Sequence, residues 1–136
     1  MKVVVTGMGV VSAIGNNVSE NLISLRAGRS GIGKANFLDS KYAGTHLFGE
    51  VKLSNQNLFR ELLIPDKIGF TRTELLAVKA FREAVNQADL SVDERSSFDT
   101  AFLSATTVGG MTETDAIYAD ANTNEEPGQF VNSYRS

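Results

Sequence analysis

The hydrophobic positions at the start of the chain, MKVVVTGMGVVSAIG, form runs instead of alternating with polar ones. Three valines between Lys2 and Thr6 make a β-branched run, which predicts a strand buried on both faces. Gly7 and Gly9 follow directly and predict a tight turn in which the backbone passes close to another group. A helix is expected after Gly15, so the chain opens like an α/β domain.

Apolar residues then recur with helical spacing in three main stretches. Residues 18–27 form the first, with a cap at Asn17, and their stripe of Val18, Leu22 and Leu25 is expected to pack on the strand of residues 3–5. The second follows a capping-box sequence that begins at Thr71. It carries an alanine-rich stripe suited to close packing against a sheet or a partner helix: Ala77, Ala80, Phe81, Ala84, Val85 and Ala88. The third opens at Thr112 with acidic residues in its first turn.

Shorter patterns complete the predicted fold. Residues 47–53 alternate between polar and apolar side chains, which predicts a half-buried edge strand. A short helix capped near Ser54 is expected to end before Pro65. The segment TAFLSA, residues 100–105, predicts a second buried strand that leads into a glycine turn at residues 106–110. Together these elements predict an α/β fold with a buried, mostly parallel sheet and packed helices.

Composition narrows the classes of protein that fit. The chain has 136 residues, 42% hydrophobic and 21% charged, which is typical of one globular domain. Its net charge of -3, without a run of like charges, argues against a nucleic-acid partner. No apolar stretch approaches the ~20 residues of a membrane span. The 136 residues include no cysteine, which excludes disulfides, thiolate zinc sites and thiol nucleophiles here and fits a cytoplasmic chain.

The turn Gly7-Met8-Gly9-Val10-Val11-Ser12 resembles a dinucleotide-binding fingerprint in which serine replaces the third glycine. In that fingerprint the helix starts inside the motif, whereas here the helix signals begin only at Asn17. No acidic residue closes a second strand about 20 residues further on. A structural glycine turn is therefore favoured over a nucleotide site, and we expect no cofactor.

The single histidine, His46, has no nucleophile tied to it by sequence spacing. The hydroxyl groups considered for that role are those of Ser12, Ser104, Thr106 and Thr107. A structural role for His46 is favoured, and no metal site is expected from one histidine. Asp115 and Asp120 are interpreted as a solvated helix face, not as an acid–base pair. The turn Val108-Gly109-Gly110 presents backbone N–H groups to an anion, but a plain strand-to-helix turn explains the glycines more simply.

Several segments together resemble one family. The strings VVVTGMGVVS at residues 3–12 and RAGRSGI at residues 26–32 look like the opening of a β-ketoacyl-[acyl-carrier-protein] synthase. The helix of residues 75–88 is similar to that family's long alanine-rich helix, and Val108-Gly109-Gly110-Met111 resembles its next segment. These matches occur in the right order and span nearly the whole chain.

The resemblance implies a thiolase-like fold, of which residues 1–136 form an incomplete N-terminal half. It implies decarboxylative condensation of an acyl group with malonyl-carrier protein, acyl carrier protein as a partner, and a dimer with itself or with a related chain. The residue matching Val108 gates the acyl pocket in such enzymes, and the one matching Met111 helps to line it. The family's nucleophilic cysteine lies shortly beyond the position of Ser136, and two histidines and a lysine lie in the second half, so no catalytic residue is assigned here.

Three hypotheses follow. The chain is the N-terminal part of a ketosynthase and inactive alone, or a non-catalytic partner of an active synthase, or a small nucleotide-binding module. If further strands are missing from the sheet, an unpaired edge and apolar surface are left uncovered. We therefore expect the isolated chain to associate with itself.

Overall fold

The structure, a computed structural model, describes residues 2–65, 70–107 and 109–123. Within these ranges five helices follow one another along the chain: α1 (Val18–Arg26), α2 (Asn55–Leu62), α3 (Arg72–Gln87), α4 (Val92–Ser96) and α5 (Met111–Thr123). The described ranges contain no extended ladder, only two isolated antiparallel bridges that join Ser12 to Gly15 and Gly33 to Phe48.

Four of the helices begin directly after a capping residue, whose side chain accepts a hydrogen bond from the backbone N–H three residues further along the chain. These caps are Asn17, Ser54, Thr71 and Ser91. The predicted starts at the first three are confirmed. The predicted end of α2 before Pro65 is confirmed as well, since Leu63 adopts the left-handed conformation with φ 52° and closes the helix.

The hydrophobic core lies between α2 and α3. Leu58 and Leu75 are completely buried there, and Leu53, Phe59 and Leu62 surround them. Lys79 of α3 forms an ion pair with Glu61 of α2 at 2.5 Å, at the edge of this contact. The two helices therefore form the one well-packed unit of the described chain, and the other segments are arranged around α3.

The alanine stripe of α3 packs closely, as predicted, but against an irregular segment and not against a sheet. A side chain at Gly7 would lie 2.9 Å from the Cβ atom of Ala88, and one at Gly9 would overlap the carbonyl of Ala80. The step from Gly7 to Gly9 therefore matches about one turn of α3, because two extended residues span about 6.6 Å and one helical turn rises about 5.4 Å. The segment runs antiparallel to α3.

The predicted buried sheet is not confirmed. Val3, Val4 and Val5 are 85%, 73% and 80% exposed, and Phe102 and Leu103 in the second predicted strand are 69% and 93% exposed. A β-branched run favours extended backbone, but burial on two faces needs neighbouring strands and covering helices that the described residues do not supply. The predicted edge strand at residues 47–53 is reduced to the bridge at Phe48.

The packing predicted for α1 is also wrong. Its buried residues are the polar Asn21 and Ser24, each 6% exposed, whereas Leu22 and Leu25 of the apolar stripe are 43% and 67% exposed. The helix packs on the irregular turn that precedes it, where Asn21 and Ser24 donate hydrogen bonds to backbone carbonyls. None of the helices in the described part of the chain combines the length and the apolar character needed to cross a membrane.

Candidate functional site

Two glycine-containing turns lie against α3, one near each end of the helix. The first glycine turn (residues 7–15) packs along Ala80, Ala84 and Ala88. The second glycine turn (residues 106–111) reaches the start of α3, where a side chain on Gly110 would lie 3.3 Å from the Cγ2 atom of Thr71. Helix α3 therefore holds the two turns that the sequence singled out.

The first glycine turn is fixed by side chains of α3. The backbone N–H of Met8 donates to Oε1 of Gln87 at 2.6 Å, and that of Val10 donates to Oε2 of Glu83 at 3.1 Å. Amide groups that a nucleotide phosphate would use are thus already occupied. This arrangement supports the structural interpretation of the glycines, with the close backbone approach made to a helix of the same chain.

Glu83 has a second partner at the start of α1. Its Oε1 atom accepts the N–H of Val18 at 2.7 Å, so one carboxylate joins the first glycine turn to the amino end of α1. That end carries partial positive charge, which a carboxylate stabilises. This role was not predicted from the sequence, although Glu83 and Gln87 are four residues apart and form a polar row beside the alanine stripe.

A buried polar cluster closes the first glycine turn from the other side. Asn21 donates to the carbonyls of Gly15 at 2.9 Å and Asn17 at 2.8 Å, and its Oδ1 atom accepts the Ser12 hydroxyl at 2.5 Å. Ser24 donates to the carbonyl of Ile14 at 2.7 Å. The Ser12 hydroxyl, one of the candidate nucleophiles, is therefore committed to a structural hydrogen bond.

The second glycine turn leads into α5. Gly110 has a φ angle of 78°, a conformation that favours glycine, and Met111 is the first residue of the helix. The side chain of Met111 is 65% exposed. Val108 lies outside the described residues, so the pairing of the two predicted pocket residues stays a prediction.

The single histidine belongs to a local loop contact. Its Nδ1 atom is 2.9 Å from the hydroxyl oxygen of Thr45, and its ring meets that of Tyr42 edge-on at 5.0 Å between centroids. An exposed, locally hydrogen-bonded histidine fits the structural role that was predicted. The side chain of Asp115 lies outside the described part, and Asp120 is half-buried on α5.

No group of three or more histidine, cysteine, aspartate or glutamate side chains in the described residues is arranged to hold a metal ion.

An open cleft of about 770 Å³ lies beside the start of α3, with Phe37, Phe48 and Leu76 on its apolar side. Arg72 crosses its polar end and donates to Oδ1 of Asn55 at 2.9 Å and to the carbonyl of Val51 at 3.0 Å. These two hydrogen bonds of Arg72 join α3 to the start of α2 and to the loop at Val51. Sequence periodicity does not predict this cleft, because most of its walls come from loops.

Glu50 organises the loop on that cleft. Its carboxylate accepts the backbone N–H groups of three consecutive residues, Asn36 at 2.6 Å, Phe37 at 3.0 Å and Leu38 at 2.7 Å. Burial raises the pKa of this carboxyl, but the three amide donors and the charge of Lys52 lower it, and the net pKa is below the usual 4.5. The carboxylate acts here as an internal anion in a backbone nest.

Over residues 1–136 the chain matches the family described as "Beta-ketoacyl synthase, N-terminal domain". It is 32% identical over 120 residues to 3-oxoacyl-[acyl-carrier-protein] synthase 1 of Escherichia coli K12, an alignment that covers 88% of this chain and 29% of that protein. It is 32% identical over 111 residues to 3-oxoacyl-[acyl-carrier-protein] synthase 2 of Staphylococcus aureus MRSA252, with 82% of this chain and 26% of that protein covered. No solved structure gives a significant match.

The chain therefore spans less than a third of the length of these curated relatives.

Proposed function

Since the chain belongs to the family of β-ketoacyl synthase N-terminal domains, we propose that it forms the N-terminal part of a 3-oxoacyl-[acyl-carrier-protein] synthase. The observation that carries this proposal is the family match, which runs from residue 1 to residue 136. Membership implies a thiolase-like fold. In the proposal residues 1–136 are the N-terminal portion of the synthase domain, and the nucleophilic cysteine lies beyond them.

The buried sheet forms, in this proposal, when the rest of the fold is present. The segments of residues 2–6 and 100–105 are then two of its strands, and α3 covers one of its faces. Two contacts support this arrangement: the first glycine turn continues residues 2–6 along α3, and Phe102 packs edge-on against Phe81 of α3 at 5.0 Å between ring centroids. The turn that follows residues 2–6 and the side chain of Phe102 thus both lie against α3.

The second glycine turn is proposed to line the acyl pocket, with Val108 as its gate and Met111 as part of its wall. The position of Met111 at the start of α5, with a side chain that is 65% exposed, leaves it free to contact an acyl chain or a further part of the fold. Two apolar side chains suit this role, because an acyl pocket is stabilised by burial of methylene groups.

The reaction proposed for the complete enzyme is a decarboxylative condensation. A cysteine thiolate from the remaining part attacks the acyl thioester of acyl carrier protein, forms an acyl-cysteine thioester and releases the thiolate of the carrier protein. Malonyl-carrier protein then loses carbon dioxide, and the electron pair left on its α-carbon attacks the thioester carbonyl. A carbon–carbon bond forms and the thiolate departs. Acyl carrier protein is the proposed partner, and the enzyme is proposed to be a dimer of itself or with a related chain.

A chimeric enzyme tests the proposal. The matched region of E. coli 3-oxoacyl-[acyl-carrier-protein] synthase 1 is replaced by residues 1–136, and condensation is measured with acyl carrier proteins of graded chain length. We expect turnover by the chimera and none by the 136-residue chain alone. A folded chimera without turnover, or turnover by the chain alone, would contradict the proposal.

Substitution at the gate sharpens that experiment. In the chimera Val108→Phe is expected to reduce kcat/KM at least tenfold for long acyl chains and much less for short ones. The matched control is Val92→Phe on α4, a position that is 65% exposed and outside the proposed pocket. An equal loss at all chain lengths, or the same effect from the control, would remove Val108 from the pocket.

One feature favours a second candidate, a non-catalytic partner of an active synthase: the 136 residues contain no cysteine and one histidine. The intact mass of the native protein distinguishes the two. A species far heavier than 14.7 kDa supports the synthase, whereas a native 14.7 kDa chain that copurifies with a full-length synthase supports the partner.

A further inference from the structure

Thr71, the capping residue of α3, is buried although it is polar, with 8% of the residue exposed. Its hydroxyl donates to Oε2 of Glu74 at 2.9 Å and accepts the backbone N–H of Glu74 at 3.2 Å. Its own backbone N–H donates to the same carboxylate at 2.7 Å. These hydrogen bonds hold the side chain in one rotamer, so the direction of the Cγ2 methyl group is fixed as well.

The methyl group of Thr71 faces the second glycine turn. A Cβ atom on Gly110 would lie 3.3 Å from Cγ2 of Thr71, closer than the roughly 3.5–4.0 Å at which two carbon atoms pack best. The space between the two residues therefore suits the hydrogen atoms of a glycine and not a methyl group. The backbone of the turn thus lies directly against the threonine side chain.

The start of α3 is a rigid support for this contact. Leu75, one helical turn beyond Thr71, is completely buried in the core beside Leu58. Arg72 also joins the start of α3 to α2, because its guanidinium donates to Oδ1 of Asn55 at 2.9 Å. The second glycine turn is therefore supported by the best-packed part of the described chain.

The turn passes this support on to Met111. The carbonyl of Gly110 accepts the hydroxyl of Thr114 at 3.3 Å, and Met111 is the first residue of α5. The position of Gly110 therefore determines where α5 begins and where the side chain of Met111 lies.

The course of the chain before the turn fits the proposed sheet. Phe102 contacts Phe81 in the middle of α3, whereas Gly110 reaches Thr71 at its start, so this segment runs antiparallel to the helix. A strand has this direction when the helix connects two parallel strands of one sheet. The second glycine turn then follows the carboxyl end of a strand, where open α/β sheets bind their ligands.

We propose that Thr71 is a positioning residue for the acyl pocket: its methyl group sets the place of Met111 and thereby the length of acyl chain that the pocket accepts. The inference rests on the proposed synthase function, in which Met111 lines the pocket. Thr71 occupies the side of the turn that faces α3, so the acyl chain passes on the opposite side. Without the methyl group the turn moves toward α3, and the enlarged pocket favours longer acyl chains.

Two substitutions separate the methyl group from the capping hydroxyl. In the chimeric enzyme Thr71→Ser keeps the hydroxyl and is expected to raise the ratio of kcat/KM for long over short acyl chains about fivefold. This is below the roughly tenfold effect of one methylene in direct contact with a substrate, because Thr71 acts through the turn. Thr71→Val keeps a methyl group and is expected to leave the ratio unchanged. In the 136-residue chain it is expected to lower Tm by about 4 °C, since the cap is lost.

Thr73→Ser is the matched control, because it removes the same methyl group from an exposed position of α3. Its ratio is expected to equal that of the unmodified chimera. If Thr71→Ser left the ratio unchanged in an active chimera, or if Thr71→Val changed it equally, the inference would be wrong and the synthase function would stand. A folded chimera that is inactive in every form would refute the synthase function and the inference with it.

Nuclear magnetic resonance tests the contact itself without turnover. In the 136-residue chain a nuclear Overhauser effect is expected between the methyl protons of Thr71 and the Hα protons of Gly110. Its absence, with the α2–α3 core intact, would overturn the positioning role whatever the chimera does.

Discussion

The carboxylate of Glu83 accepts the backbone N–H of Val18 at 2.7 Å, across a separation of 65 residues. The same carboxylate also accepts the N–H of Val10 at 3.1 Å. One side chain of α3 therefore positions both the first glycine turn and the start of α1. This contact joins the amino-terminal segment to α3, together with the hydrogen bond from Met8 to Gln87 and the close packing at Gly7 and Gly9.

Removal of that carboxylate tests its structural role. We expect Glu83→Ala to lower the free energy of unfolding by about 2 kcal/mol, because hydrogen bonds to charged groups contribute roughly 1.5–3 kcal/mol. Chemical denaturation of the 136-residue chain measures the change. The control Glu61→Ala removes the ion pair with Lys79 and is expected to cost below about 1 kcal/mol. Equal losses from the two variants would contradict the special role of Glu83.

The helices could be predicted from the sequence because their signals are local. The caps at Asn17, Ser54 and Thr71 act on backbone groups within three residues, so the start of each helix is encoded beside it. The burial of the sheet could not be predicted from local signals in the same way, because the burial of a strand depends on partners that are remote in sequence. The valines of residues 3–5 have the right composition, but nothing in the described chain covers them.

The candidate site was predictable to a similar extent. The two glycine turns were identified from the sequence, and α3 holds both of them. The polar residues that fix the first glycine turn were missed, because Glu83 acts on backbone groups 65 and 73 residues away and neither Glu83 nor Asn21 belongs to a motif. The third helix was predicted to open at Thr112 and begins at Met111, whereas the pocket that Met111 is proposed to line depends on further chain.

The alanine stripe of α3 gives a second prediction. A methyl group at Gly9 would overlap the carbonyl of Ala80, so Gly9→Ala is expected to cost about 3 kcal/mol or to detach the turn, as overpacking costs roughly 1–3 kcal/mol. The control is Gly44→Ala, where a Cβ atom would meet nothing within 4 Å. That variant is expected to stay within about 1 kcal/mol of the unmodified chain. A tolerated Gly9→Ala would show that the turn does not pack on α3.

The inverted packing of α1 gives a third prediction. Ser24→Ala is expected to lower the free energy of unfolding by about 1 kcal/mol, since it removes the hydrogen bond to the Ile14 carbonyl. Leu25→Ala on the same helix is expected to be nearly neutral, because Leu25 is 67% exposed. Thermal unfolding of the two variants measures the difference. The opposite order would mean that the apolar stripe of α1 is buried after all.

Glu50 gives a prediction about pH. Its folded-state pKa lies below 4.5, because the amide donors of residues 36–38 and the charge of Lys52 outweigh the opposite effect of burial. A lowered pKa means that the carboxylate stabilises the fold above the unfolded-state pKa and that this contribution is lost as the pH falls through the folded value. Below pH 4.5 the amide resonances of Phe37 and Leu38 are therefore expected to shift together and to exchange faster with solvent.

Glu50→Gln separates that effect from general acid unfolding. A neutral side chain does not titrate, so the amides of Phe37 and Leu38 are expected to lose their pH dependence while the α2–α3 core stays intact. Glu94 is the internal control, because its pKa is also lowered, by hydrogen bonds from Ser91. Its titration is expected to move the Ser91 amide in both proteins. If the amide resonances of Phe37 and Leu38 still changed with pH in Glu50→Gln, another group would have to hold this loop.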